Sequence, residues 1–154
     1  MIDEINTQIL TLIQENARIS NAEIARRLGM ATSAIFERIR KLEEQGIIQG
    51  YEARLKAKAL GLGLLAFVFV RADERTGSGR VGQQLAEIAE VMEVHHIAGE
   101  DCYLVKVRAA DTEDLGRLLR EKFGAIEAVR STRTTIVLSS VKETGRLPIP
   151  GSAG

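Results

Sequence analysis

Residues 20–48, SNAEIARRLGMATSAIFERIRKLEEQGII, constrain the fold of this chain more than any other stretch. They read as two short helices meeting at a sharp turn. Ser20 followed three residues later by Glu23 has the spacing of a capping box, in which each side chain accepts from the other's backbone N–H. Ile24, Ala25 and Leu28 bury one side of a helix two turns long. Gly29 ends it, because glycine alone enters left-handed geometry without steric cost. The next helix begins near Thr32 with Ile35, Ile39 and Leu42 inward, and its outer face holds Thr32, Ser33, Phe36, Glu37, Arg38, Arg40 and Lys41. Two helices this short cannot bury their stripes against each other alone. Residues 3–16 supply a third, with Ile5, Ile9, Leu12 and Ile13 as its apolar stripe. A three-helix domain with a polar, basic helix face is how a protein presents one helix to the major groove of DNA.

Charge does not advertise nucleic acid. The 154 residues balance 21 Lys and Arg against 21 Asp and Glu, and residues 1–60 carry nine basic and eight acidic side chains. Any DNA affinity must come from local arrangement and from several copies of the domain. The single cysteine, Cys102, rules out an intrachain disulfide and points to a reducing compartment. Leu62–Val70 is far too short to span a bilayer, and no signal segment is present, so a soluble cytoplasmic protein without membrane partners is expected.

After Gly46, the residues Ile47, Ile48, Tyr51, Ala53 and Leu55 roughly alternate and read as a short strand leaving the helical domain. Residues 51–63 form this strand and a connector. From Leu64 the period becomes extended. Leu64–Arg71 reads as a strand whose apolar run implies burial on both faces. Val81, Leu85, Ile88 and Ala89 mark a helix after a glycine-rich turn at 77–79. Val91–Ala98 and Cys102–Ala109 are strands joined at Gly99-Glu100-Asp101. Asp111 or Thr112 caps a helix carrying Leu115, Leu118, Leu119 and Phe123, and Val129–Ser140 is the last strand. The order βαββαβ predicts a ferredoxin-like four-stranded antiparallel sheet with both helices on one face. Phe67 and Phe69 point one way from the first strand and Leu64, Ala66, Val68 and Val70 the other. Both sets are apolar, so the uncovered face is an apolar patch, which marks an association surface that a second copy covers by two-fold symmetry. The expectation is an α+β chain: a winged helix-turn-helix domain over 1–50, the connector at 51–63, a ferredoxin-like sandwich domain over 64–142, and a flexible tail over 143–154, frayed or arm-like.

These pieces together resemble the Lrp/AsnC, or feast/famine, family of bacterial and archaeal regulators, over roughly residues 2–143. The resemblance rests on Ile2-Asp3, Ile9-Leu10 and Asn16-Ala17-Arg18, then Ile24-Ala25, Leu28-Gly29, Arg38-Ile39, Leu42-Glu43 and Gly46-Ile47-Ile48-Gln49-Gly50-Tyr51. In the second domain it rests on Gly99, Tyr103-Leu104, Lys106-Val107, and Thr132-Arg133-Thr134 through Lys142. It implies a transcriptional regulator that binds double-stranded DNA. It also implies a homodimer built on the sheet domains, often assembled into octamers, with an amino acid or other small molecule bound where dimers meet. Two departures stand out. Ala31 occupies the position where the family usually has a capping serine, so Thr32 or Ser33 must cap or the end frays. Cys102 stands where better-known members carry an acidic residue, and an effector ammonium would need Glu100 or Asp101 instead.

Within this frame Thr32, Ser33 and Phe36, near the start of the second motif helix, are best placed to touch base edges. Arg38, Arg40 and Lys41 are the sharpest charged candidates for DNA contact. Arg38 reaches a guanine or a phosphate if it points outward, but its place beside Ile35 and Ile39 also allows pairing with Glu15 or Glu37. Arg18, Arg26 and Arg27 fit phosphates, which position a protein without reading sequence. Gly99, Glu100, Asp101 and Tyr103, with Thr134 opposite them, are the effector candidates; the plainer alternative is an ordinary tight hairpin.

Other constellations carry less. His95 and His96 point to opposite faces of a strand and cannot share one ion, and no further ligands join them. Cys102 lacks an activating histidine and reads as a buried strand thiol. Gly77-Ser78-Gly79 lacks the lysine and spacing of a phosphate loop. No catalytic constellation, metal or cofactor is expected. Two rival classes remain: a metabolite-sensing oligomeric module without a DNA role, and a small ferredoxin-like enzyme with a site at the dimer seam.

Overall fold

The computed structural model describes residues 2–75 and 78–152, which fall into two units: 1–54 together with 143–154, and 55–142. In the first unit Asp3 starts α1 (Glu4–Glu15) by accepting the Asn6 N–H at 2.7 Å. Ser20 starts α2 (Asn21–Leu28) by accepting the Glu23 N–H at 3.1 Å. The reciprocal half of the expected capping box is not formed among the described residues, because the Glu23 carboxylate turns to Arg26 and Arg27. Gly29, at φ 64°, lets the Met30 N–H fold back onto the Ala25 carbonyl at 2.9 Å. After this turn α3 (Thr32–Glu44) begins at Ala31 without any side-chain cap. Neither Thr32 nor Ser33 replaces it: both already lie within the helix, whereas capping requires the extended backbone of the preceding residue. Ile9, Ile24, Ile35 and Leu42 are fully buried where the three helices meet.

The strand expected across Ile47–Leu55 does not form among the described residues. The apolar alternation is real, but a strand's N–H and C=O groups need a neighbour, and here none pairs with this segment. Ile47 and Ile48 instead donate back to the Leu42 carbonyl at 2.9 and 3.1 Å. In the expected connector, a single 3-10 turn occupies Ala57–Leu60. The tail lies against α1, through Gln14 and Glu15.

The second unit runs β1 (Leu64–Ala72), α4 (Arg80–Ala86), β2 (Val91–His96), β3 (Tyr103–Ala109), α5 (Thr112–Leu118) continuing into a π turn at Leu119–Phe123, and β4 (Val129–Ile136). The sheet is antiparallel throughout in the order β2-β3-β1-β4, the ferredoxin-like arrangement. Gly77 of the expected glycine-rich turn lies outside the described residues. Two strands end earlier than the apolar pattern alone implies. β2 stops at His96 because its partner β3 begins opposite it at Tyr103. β4 stops at Ile136, with one further bond from the Val137 N–H to the Leu65 carbonyl at 2.9 Å, because β1 begins at Leu64. The cap of α5 is Asp111, which accepts the Asp114 N–H at 2.8 Å.

The pleat sorts the core. Ala66, Val68 and Val70 of β1 and Val105, Val107 and Ala109 of β3 point toward the helices and are fully buried with Val81, Leu85 and Phe123. Phe67, Phe69 and Leu104 point the other way and are only half-buried, while Leu65 on the same face is buried, so the burial expected on both faces of β1 is complete on one and partial on the other. At Gly82 of α4 the helix comes so close to Tyr103 that a Cβ there would sit 2.8 Å from the ring. No helix of the described residues is long and apolar enough to cross a membrane.

Candidate DNA interface and effector site

Burial of Ile35, Ile39 and Leu42 turns the rest of α3 outward. Thr32 and Ser33 are exposed, and Phe36, a large apolar side chain, keeps 53% of its surface in solvent. The three lie on the outer face as expected, whereas Arg38 takes the paired alternative that the sequence also allowed, with a different acid. That side chain leans across the flank of α3 toward α1, where its guanidinium donates to Asp3 at 2.8 Å and Asn6 at 3.2 Å. Neither Glu15 nor Glu37 is its partner. Since Asp3 also caps α1, Arg38 ties the recognition helix to the start of the first helix. The Asn6 N–H, and after it Arg38, hold the Asp3 carboxyl below its usual range.

The other arginines are also committed. Arg40 bridges Glu37, at 3.0 Å, and Glu44 on the same helix. Arg26 and Arg27 share Glu23 at 2.6 and 2.9 Å, and their hydrogen bonds pull its pKa down to about 2. A phosphate approaching any of these must compete with a carboxylate already in place. Arg18 and Lys41, by contrast, carry no ion pair among the described residues. Sequence reasoning missed Tyr51, whose hydroxyl donates to Glu43 at 3.1 Å. Its ring joins Ala17, Asn21, Phe36 and Arg40 around a shallow groove of about 350 Å³. The signal was present as an aromatic soon after the helix, but it was absorbed into a strand that does not form.

In the sheet unit the expected effector residues separate. Gly99 takes φ 122° in the turn between β2 and β3. Glu100 pairs with Arg71 and Asp101 with Arg133, each at 3.0 Å, and the Arg133 guanidinium lies 4.1 Å over the Phe69 ring. These contacts belong to the open face of the sheet. Tyr103 is buried on the helix face, and its hydroxyl donates to Glu74. The second Glu74 oxygen accepts the Val81 N–H at 3.1 Å, so one carboxylate caps α4 and anchors the tyrosine. Burial, then that carboxylate, pushes the Tyr103 pKa up to about 12. Thr134 lies on the helix face too, but it faces Val68, whereas Val70 separates Tyr103 from Thr132. A single chain therefore does not gather all five candidates around one point.

Tyr103 instead lines a cleft of about 530 Å³ with Glu74, Gln83, Val94, His96 and Cys102. The His96 ring is tilted against Tyr103 at 5.3 Å between centroids, while His95 pairs with Glu93, so the two histidines diverge. The Cys102 thiol sits 3.5 Å from the Ala72 carbonyl. Glu74 and Arg71 were not singled out from the sequence, and Arg133 entered only as part of a family pattern. Each reaches its partner across the sheet or from a loop, where periodicity carries no information.

Both halves of the chain match known protein families. Residues 2–49 match a winged helix-turn-helix DNA-binding domain, and residues 65–147 match the Lrp/AsnC ligand binding domain. The HTH-type transcriptional regulator FL11 of Pyrococcus horikoshii is 38% identical over 148 residues, covering 96% of this chain and 97% of that protein. The leucine-responsive regulatory protein of Escherichia coli K12 is 36% identical over 152 residues, covering 96% and 92%. The feast or famine regulatory protein Rv3291c of M. tuberculosis, solved in complex with L-methionine, superimposes with a TM-score of 0.88 at 33% identity, over 97% of this chain and 100% of that one. With two family matches in chain order and relatives that span its length, the chain belongs to the Lrp/AsnC family of DNA-binding transcriptional regulators.

Proposed function

We propose that the chain reads a specific DNA site through the exposed N-terminal half of α3 and adjusts that reading to an amino acid. The observation that carries the proposal is the pairing of a fully sunk apolar stripe, Ile35 and Leu42, with an exposed Thr32, Ser33 and Phe36 on the same helix. Those three side chains contact base edges in the major groove, while Arg18, Arg26, Arg27, Arg40 and Lys41 meet phosphates. Arg38 works from beneath, orienting α3 through Asp3. Two copies pair across the open sheet face around Phe67, Phe69 and Leu104, and pairs assemble further, to octamers in the fullest form. Such a dimer offers two recognition helices about 34 Å apart or a multiple of that, matching a pseudo-palindromic site in the cytoplasm. A relative solved with L-methionine supports a free amino acid as effector. Gly99, Glu100, Asp101, Tyr103 and Thr134 are its proposed contacts, with the Glu74–Cys102 cleft beside them. Selection of bound genomic DNA fragments, repeated with and without a panel of L-amino acids, tests the proposal. One enriched motif whose occupancy changes with an amino acid is expected. Binding indifferent to sequence and to salt would sink it.

A further inference from the structure

The helical unit cannot attract DNA by net charge. Residues 1–54 and 143–154 together hold eight basic and nine acidic side chains. Of the motif's arginines, Arg26, Arg27, Arg38 and Arg40 each already hold a carboxylate. Two cations at the C-terminal end of α1 differ. Arg18 follows the cap residue Asn16, whose side chain accepts the Arg18 N–H at 3.0 Å, and its guanidinium carries no ion pair among the described residues. Arg146 arrives there from the opposite end of the chain. The Gln14 amide holds this tail in both directions, donating to the Leu147 carbonyl and accepting the Leu147 N–H, each at 2.8 Å. Arg54 adds a bond to the Glu143 carbonyl at 3.2 Å. Pro148 and Pro150 restrict the backbone beyond. Arg146 spends one N–H, at 3.3 Å, on the Glu15 carbonyl, and a guanidinium has five donors. The groove lined by Ala17, Asn21, Phe36 and Arg40 puts the turn after α1 on the same side of the unit as the outer residues of α3.

From this placement we infer that the C-terminal segment is a phosphate-binding arm: docked on α1 by Gln14, it delivers Arg146 to the DNA backbone at the end of α1 that Arg18 follows. The inference rests on DNA binding by α3 and extends it to a segment more than a hundred residues away in the chain. The plain alternative is a strap that only steadies the helical unit. The arm from Glu143 to Ser152 contains one acid and one base, Glu143 and Arg146, so deleting it leaves net charge unchanged. A change in salt dependence on its loss therefore reports placement of charge and not its amount.

The test measures binding of the full chain to a selected genomic fragment by fluorescence anisotropy, from about 50 to 200 mM salt. Arg146→Ala should weaken binding several-fold and lower the slope of log affinity against log salt by about 0.9 for each arm in contact. Arg146→Lys should keep the slope. Gln14→Ala, which removes no charge, should reproduce the loss because the arm undocks. If Arg146→Ala and Gln14→Ala lower the melting temperature but leave the slope untouched, the arm is a strap and the inference fails. A wild-type slope near zero would instead overturn DNA binding by the chain, and the arm with it.

Discussion

Tyr103→Phe removes one oxygen from the sheet unit and is the sharpest test of how its core is fastened. The hydroxyl donates to Glu74, whose other oxygen holds the Val81 N–H at the start of α4. A hydrogen bond to a charged group contributes about 1.5–3 kcal/mol. The Glu74 side chain lines the open cleft of about 530 Å³, so water can take over part of the lost bond and the cost falls toward the lower end. About 1.5 kcal/mol corresponds to a fall of roughly 6–12 °C in melting temperature for a domain of this size. Scanning calorimetry of the full chain measures it, and a double-mutant cycle with Glu74→Gln isolates the pair. The same bond carries a pH signature. The folded pKa of about 12 lies above the unfolded value near 10, so the stabilisation is complete below pH 10 and is lost as pH rises through about 12. With two tyrosines and no tryptophan in the chain, phenolate absorbance belongs to Tyr51 and Tyr103 alone, and Tyr103→Phe should delete the later step. A variant that melts within about 1 °C of wild type, or a Tyr103 that titrates near pH 10, would refute the reasoning.

Three further outcomes are expected. Ala31→Ser supplies the missing cap of α3 and should stabilise the helical unit by about 1 kcal/mol, read as a raised melting temperature by circular dichroism. Glu23, with a folded pKa of about 2, lends stability that is present above its ordinary pKa and lost as pH falls toward 2. Acid melts of Glu23→Gln should therefore be flatter between about pH 4.5 and 2 than those of the wild type. Phe67→Lys places a second cation opposite Lys106 on the open sheet face and should reduce the mass seen by sedimentation velocity; an unchanged mass removes that face from the proposed dimer.

The parts of this fold that repeat with a period were legible before any coordinates. The stripes of α1, α2 and α3, the stop at Gly29 and the alternation of β1 each follow from where successive side chains point. What escaped were contacts between distant positions. Arg38 finds Asp3 35 residues away, Tyr103 finds a carboxylate 29 residues away, and the tail finds Gln14 across 133. Sequence offered Arg38 its neighbour Glu37 and Glu15 at the end of α1, but not the acid at the start of that helix. The segment Tyr51–Leu55 failed for the converse reason. Its alternation is a property of the residues alone, whereas a strand is a property of two segments, and no second segment pairs with it. At the candidate effector site the identity of the loop was readable, but the sides its residues take were not. Those depend on register at the end of β3.

That division bears on how an effector can act. Glu100 and Asp101, through Arg71 and Arg133, belong to the open face, whereas Tyr103 and Glu74 belong to the helix face. A ligand shifts an equilibrium only if it binds the two states with different affinity. On the helix face it meets α4 and the cleft, which are complete within one chain. On the open face it competes for Arg133, whose guanidinium covers Phe69, one of the residues through which a second copy is proposed to pair. Only the second position places the effector and the partner in contact with the same side chain. Where a second copy pairs across the open face as proposed, Arg133 is the side chain that a ligand bound there would share with it. By reciprocity, a ligand that strengthened such pairing would itself bind the pair more tightly by the same factor.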